Sequence, residues 1–152
     1  LSFATVDASQ KEESAVTNDE PSKPAEMTDE QWRQKLDPES FAVLREAATE
    51  PAFTGAYNDE KGIGMFRCKG CDAELFSSDT KFDSGTGWPS FTDPVVSSAV
   101  TLVDDNSHGM RRTEAICASC GGHLGHVFED GPGVSGQRWC INSAALDFEA
   151  RE

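Results

Sequence analysis

No stretch of this 152-residue chain approaches 18 consecutive apolar residues, so nothing in it reads as a membrane-spanning helix. Positive charge is scarce too. Thirteen Lys and Arg stand against 27 Asp and Glu, a net charge of −14. That balance argues against a nonspecific nucleic-acid binder and against docking on anionic membranes, both of which need a basic surplus. Five cysteines, an odd number, argue against a secreted disulfide framework. A chain of this size buries roughly 68–70% of its unfolded surface and needs no such staples. Hydrophobic residues at 37% and charged residues at 26% fit one soluble globular domain with a tail. Residue 1 is Leu, which leaves a removed leader open, although a transit peptide would be basic and this N-terminus is acidic.

Residues 1–26 carry Asp7, Glu12, Glu13, Asp19, Glu20 and Glu26 against Lys11 and Lys23, with few large apolar groups. They are expected to form a mobile acidic tail, most simply a linker or processed stub. Residues 27–152 are then the folded domain. Thr28 followed by Gln31 predicts a capping box and a short helix to about Lys35. Asp37-Pro38 predicts a second helix with an apolar face of Phe41, Leu44, Ala47 and Ala48. From Phe53 onward, apolar runs broken every 8–12 residues read as antiparallel sheet. The candidate strands are Gly64–Cys68, Ala73–Ser77, Ala99–Val103, Met110–Cys117, Gly125–Phe128 and Gln137–Phe148. The expected fold is mainly β.

Cys68-Lys-Gly-Cys71 and Cys117-Ala-Ser-Cys120 each place two thiolates on one tight turn, half of a tetrahedral zinc site. They resemble matching knuckles, with Gly70 and Gly121-Gly122 suited to the turns. Together they would hold one zinc ion per chain in a closed sphere of four thiolates with no position for water, a structural metal. Closing the long loop between them costs about 3 kcal/mol of chain entropy, well below the roughly 10–16 kcal/mol of apparent zinc binding. Disulfides or free core cysteines are the competing readings. The βαβ context of thioredoxin-like redox pairs is missing.

Cys140 stands apart. On a strand from Gln137 to Leu146, Arg138, Cys140 and Asn142 share one face and Trp139, Ile141 and Ser143 the other. An arginine two residues away favours a thiolate with a lowered pKa, against the plainer reading of an inert buried cysteine. His123 and His126 are candidates for acid–base work or for hydrogen bonding a polar oxygen, since a zinc ion held by four thiolates needs neither. His108, between Asn106 and Gly109, reads as a loop residue. In Phe82-Asp83-Ser84-Gly85-Thr86-Gly87-Trp88-Pro89-Ser90-Phe91 the aromatics either pack the core or leave Trp88 as a flat apolar wall for a small group. Nucleophile, acid and wall suit attack on a polarised sulfur or carbon centre.

Three motifs make the chain resemble the B-type methionine sulfoxide reductases, which act on the R epimer: Lys81–Phe91, Gly122–Phe128 and Arg138–Leu146. The resemblance runs from about Met27 to Phe148, and both Cys-x-x-Cys pairs sit where zinc-containing members have them. It implies a fold of two antiparallel sheets with two or three short N-terminal helices and a structural zinc. It implies Cys140 as nucleophile, passing through a sulfenic acid. His123, His126 and Asn142 would bind and protonate the sulfoxide oxygen, and Arg138 and Asp130 would tune the thiolate. Trp88, Phe128 and Ser90 would form the substrate pocket. The implied work is repair of oxidised proteins by a monomer, with no nucleic-acid or membrane partner.

Two positions depart from the family pattern. Trp139 replaces the more familiar Tyr or Phe. Thr86 stands where many members carry a resolving cysteine. With four cysteines on zinc and one as nucleophile, no thiol remains for an internal disulfide, so thioredoxin, glutaredoxin or glutathione is the expected reductant. Reduced thiols with zinc suit an intracellular reducing compartment, the cytoplasm or a plastid or mitochondrial interior. A non-catalytic zinc-stabilised binding module of the same fold is the alternative. A zinc deaminase fails for want of H-x-E and an open metal position.

Overall fold

The computed structural model describes residues 27–151, and the segment 1–26 lies outside them. Helix α1 (Asp29–Lys35) opens on the capping box: the Gln31 amide donates to the Thr28 hydroxyl at 3.2 Å, and the Thr28 amide donates to Gln31 Oε1 at 2.8 Å. Helix α2 (Pro38–Glu46) starts with Pro38 in its first turn and the Ser40 amide donating to the Asp37 carboxylate at 3.3 Å. It stops one turn earlier than the sequence suggests, because Ala47 adopts a left-handed φ of 58°. Its buried face is therefore Phe41, Val43 and Leu44, while Ala47 is exposed. Neither helix is long and apolar enough to cross a membrane, and no other among the described residues is.

Nine strands follow: β1 (Gly64–Cys68), β2 (Glu74–Ser77), β3 (Lys81–Phe82), β4 (Ser90–Phe91), β5 (Val100–Asp105), β6 (Arg112–Cys117), β7 (His123–Phe128), β8 (Arg138–Ile141) and β9 (Leu146–Ala150). They form two antiparallel sheets, a three-stranded one in the order β9-β1-β2 and a six-stranded one in the order β3-β4-β8-β7-β6-β5. The mainly β expectation holds. The single strand expected over Gln137–Phe148 is instead two, separated by a 3-10 turn at Ser143–Ala145, and the halves join different sheets. Asn142 makes the break. Both its backbone amide and its side-chain amide donate to the Leu124 carbonyl, at 2.9 and 3.0 Å, which turns the chain off β8. Strands β3 and β4 have two residues each, too short for any alternation to show.

The sheets stack through aromatic rings. Phe66 and Phe76 of the small sheet meet Phe91 of the large one at centroid distances of 5.2 and 4.4 Å, and Phe76 meets Trp139 at 6.0 Å. Trp139 thus lies on the core side of β8, away from Cys140, and substitution of a smaller aromatic there leaves the other face unaltered.

Register decides what the outer face carries. Ser90, Cys140, His126, Glu114 and Val103 lie directly opposite one another across β4, β8, β7, β6 and β5. His123 and His126 are three apart, which in a regular strand would send them to opposite faces. A bulge corrects this: Gly125 pairs with Ala115 but His123 pairs with Ile116, leaving Leu124 as the extra residue. Both imidazoles then stand on the Cys140 face, with ring centroids 5.4 Å apart.

At Gly125 strands β7 and β8 approach so closely that an added Cβ would strike the Cys140 carbonyl oxygen. Gly125→Ala is expected to destabilise the fold by about 1–3 kcal/mol, seen as a lowered urea midpoint, and to slow the reaction of Cys140 with thiol reagents at unchanged pH.

Candidate active site and metal centre

The four cysteines of the two Cys-x-x-Cys turns converge, with all four sulfurs within 4.8 Å of one another. Cys68 Sγ lies 3.7 Å from Cys120 Sγ, and Cys71 Sγ 3.5 Å from Cys117 Sγ. Those separations are far longer than the ~2.05 Å of a disulfide. They match the roughly 3.8 Å between sulfurs each 2.3 Å from a tetrahedral zinc. The turns are near copies. In one, the Cys68 amide bonds the Ala73 carbonyl and the Asp72 amide bonds the Cys68 carbonyl; in the other, the Cys117 amide bonds the Gly122 carbonyl and the Gly121 amide bonds the Cys117 carbonyl, all at 2.8 Å. The left-handed residue is Asp72 in the first turn and Gly121 in the second. Gly70 matters for another reason: Trp32 packs where its Cβ would be.

On the polar face of the large sheet, an open cleft of about 260 Å³ has Cys140 in its lining. Trp88 and Phe128 supply apolar walls, with Arg138, His126, Asn142 and Thr86 around the thiol. Arg138 is anchored on both sides. Its guanidinium bonds the Asp130 carboxylate through Nε and Nη2, at 2.9 and 3.2 Å, and lies 4.5 Å from the centre of the Phe128 ring. The expected lowering of the thiol pKa by Arg138 is outweighed in this resting structure: burial pushes the Cys140 thiol up, against the charge of Arg138 and hydrogen bonding from Thr86 and Arg138.

The remaining candidates divide. His126 lines the cleft, its Nε2–H donating to Asp105 Oδ2 at 2.7 Å. Burial lowers its pKa, only partly offset by Asp105. His123 is 5% exposed, adjacent to His126 but behind the cleft lining. Asn142 reaches the cleft, but its amide already holds the Leu124 carbonyl and accepts the Glu50 amide at 3.0 Å, leaving one N–H free. Ser90 does not line the cleft. It is fully buried beside the site, its hydroxyl 2.7 Å from Ser84 Oγ, which in turn is 2.7 Å from Thr86 Oγ1. The sequence suggested a pocket contact because Ser90 closes the Trp88 motif; the pairing of β4 with β8 places it beside Cys140, where Ser84 packs against its hydroxyl.

Sequence reasoning missed Glu50 and Arg112. Arg112 lines the cleft and bonds Asp105 through Nη2 at 3.3 Å. Glu50 is 3% exposed and braces three site segments: its carbonyl accepts the Trp88 indole N–H at 2.9 Å, its amide holds Asn142, and its Oε1 accepts the Ala144 amide at 2.9 Å. Burial raises its pKa. Nothing local marks it among 27 acidic residues.

Because desolvation dominates, the pH midpoint for alkylation of Cys140 is expected above that of an ordinary thiol. Arg138→Leu should move it higher still, since removing a cation disfavours the thiolate. Mass spectrometry of the Cys140 peptide after timed iodoacetamide pulses from pH 6 to 11 reads both.

Comparison with known proteins agrees with this geometry. Residues 36–150 match the SelR domain. A peptide methionine sulfoxide reductase MsrB from a Synechococcus species is 58% identical over 126 residues, covering 83% of this chain and 93% of that protein. MsrB of Thioalkalivibrio sulfidiphilus is 55% identical over 128 residues, 84% of this chain and 93% of its own length. MsrB of the archaeon Methanosarcina mazei is also 55% identical, over 129 residues, 84% of this chain and 91% of its own. The chain belongs to the SelR domain family, the MsrB-type methionine sulfoxide reductases.

Proposed function

We propose that residues 27–152 form one domain that reduces methionine-R-sulfoxide, chiefly in oxidised proteins, through the Cys140 thiol. The observation that carries this reading is the placement of Cys140 in the lining of an open cleft between Trp88 and Phe128, with His126 directly across on the neighbouring strand. An open cleft admits a side chain still attached to a protein. Trp88, held by its indole N–H on Glu50, offers a fixed apolar surface to the S-methyl group.

The Cys140 sulfur attacks the sulfoxide sulfur while the free Asn142 N–H and a protonated His126 donate to the sulfoxide oxygen, His126 giving up its proton to it and His123 acting through water from behind the cleft lining. The oxygen moves to Cys140 as a sulfenic acid and methionine leaves, so the sulfoxide gains two electrons and Cys140 loses two. Arg138, fixed by Asp130, favours the attacking thiolate. Two external thiols then return Cys140 to the thiol, forming a disulfide and water. The other four cysteines are gathered in the cluster and position 86 is Thr, which supports thioredoxin, glutaredoxin or glutathione as donor. Such a donor and a thiolate cluster suit a reducing compartment.

Cys68, Cys71, Cys117 and Cys120 fit one zinc ion, four sulfurs closing the sphere and leaving no water to activate. When bound, the ion supplies folding energy rather than chemistry.

With dithiothreitol as reductant, the protein is expected to turn over the R epimer of dabsyl-methionine sulfoxide and not the S epimer, and Cys140→Ser to turn over neither. Turnover undiminished in Cys140→Ser would sink the assignment. Metal analysis should give one zinc per chain. A chelator under reducing conditions should abolish the cooperative thermal transition, as loss of roughly 10–16 kcal/mol of binding requires.

A further inference from the structure

The two imidazoles are held by different ring nitrogens. His123 uses Nδ1, 2.6 Å from Glu114 Oε2, whereas His126 uses Nε2, 2.7 Å from Asp105 Oδ2. A carboxylate only accepts, so the facing nitrogen in each ring must carry the proton. Each ring then keeps one nitrogen with a lone pair: Nε2 in His123, Nδ1 in His126. The His123 Nε2 is buried and has no hydrogen-bond partner among the described residues, in a residue only 5% exposed. A buried nitrogen left open is costly unless something is meant to meet it.

The carboxylates are themselves fixed by the sheet. Glu114 stands opposite His126 in register but, because of the bulge, reaches the neighbouring His123. Asp105, at the end of the edge strand, accepts the Ser107 amide on Oδ1 at 2.9 Å and Arg112 on Oδ2 at 3.3 Å. Hydrogen bonds from Ser107 and His126, with the charge of Arg112, hold it well below the usual carboxylate range, so it stays an acceptor.

We propose that Glu114 and Asp105 are positioning residues that hold His123 and His126 in opposite tautomers, leaving His123 Nε2 and His126 Nδ1 as the basic nitrogens that take up the proton later passed, directly or through water, to the substrate oxygen. The role in turnover rests on the function proposed above; the tautomers do not. His123 is the demanding case, because an unconstrained imidazole in water favours the proton on Nε2. Glu114 must hold it in the less favoured form.

Long-range proton–nitrogen correlation on the zinc-loaded, reduced full chain, above the imidazole titration, reads the tautomers directly. The chain has three histidines, and His108→Gln identifies the third ring. The expected spectrum shows Nδ1–H at His123 and Nε2–H at His126. Two rings in the same tautomer, or rapid exchange between tautomers at either, would overturn the proposal, whatever the protein's activity. Glu114→Gln and Asp105→Asn are then expected to blur the tautomer of their own histidine alone and to lower kcat about tenfold or more, with KM within about twofold of wild type. Unchanged kcat in both variants, at wild-type zinc content and melting temperature, would overturn the positioning role. Absence of turnover in the wild type would instead reject the proposed reaction and leave the tautomer result to stand or fall alone.

Discussion

Antiparallel pairing across the large sheet is the constraint from which the site follows. One register line runs Ser90, Cys140, His126, Glu114 across four strands. Side chains alternate faces, so the residues next to this line fall on the core side, where Trp139 and Phe91 pack against the small sheet. One face therefore carries the cleft and the other the packed core. A slip of one residue in any pair would exchange them. The cleft needs no loop to bring Cys140 beside the imidazoles; the backbone ladder does it. Loops contribute the walls and braces, Trp88 from one and Glu50 from another, and these two are tied to each other.

The bulge at Leu124 is the one irregularity the site requires. Without it His123 would point into the core. With it, Leu124 supplies the carbonyl that accepts both Asn142 donors. One inserted residue thus rotates an imidazole into place and ends strand β8 just past Cys140. That ending sends the chain to the small sheet as β9, where Leu146 pairs with Cys68. Strand β8 and the first Cys-x-x-Cys turn are joined by this crossover.

Much of this was legible in the residues. Both helix starts were, because capping depends on side chains within four positions. The Cys-x-x-Cys turns were, because their geometry is local and repeated. The pocket residues Cys140, Trp88, His126 and Arg138 were found because each stands in a dense, ordered motif. What stayed hidden depends on contacts between distant segments. Asn142 ends a strand only because the Leu124 carbonyl waits across the sheet, so Gln137–Phe148 read as continuous. The raised Cys140 thiol reflects burial from several strands, whereas the sequence displayed only the neighbouring arginine. Glu50 and Ser90 were misjudged or missed for the same reason. An acid after a helix and a serine after Trp-Pro give no sign of being buried beside a cleft.

The cluster and the cleft, although chemically separate, act on the same hairpin. Cys117 ends β6 and Cys120 precedes β7, so the second Cys-x-x-Cys turn is the turn that joins the two strands. Glu114 lies three residues before that turn and His123 three residues after it. Fixing the turn fixes the offset between β6 and β7, and the bulge is the first feature beyond it. The same cluster ties this turn to the β1–β2 turn, and Arg45 of α2 donates to the Cys120 carbonyl at 3.0 Å. Helices, small sheet and the β6–β7 hairpin therefore share one anchor. Four sulfurs gathered at this turn bear on the register on which both histidines depend. The cluster stands in the hairpin where an error of a single residue would turn an imidazole away from Cys140.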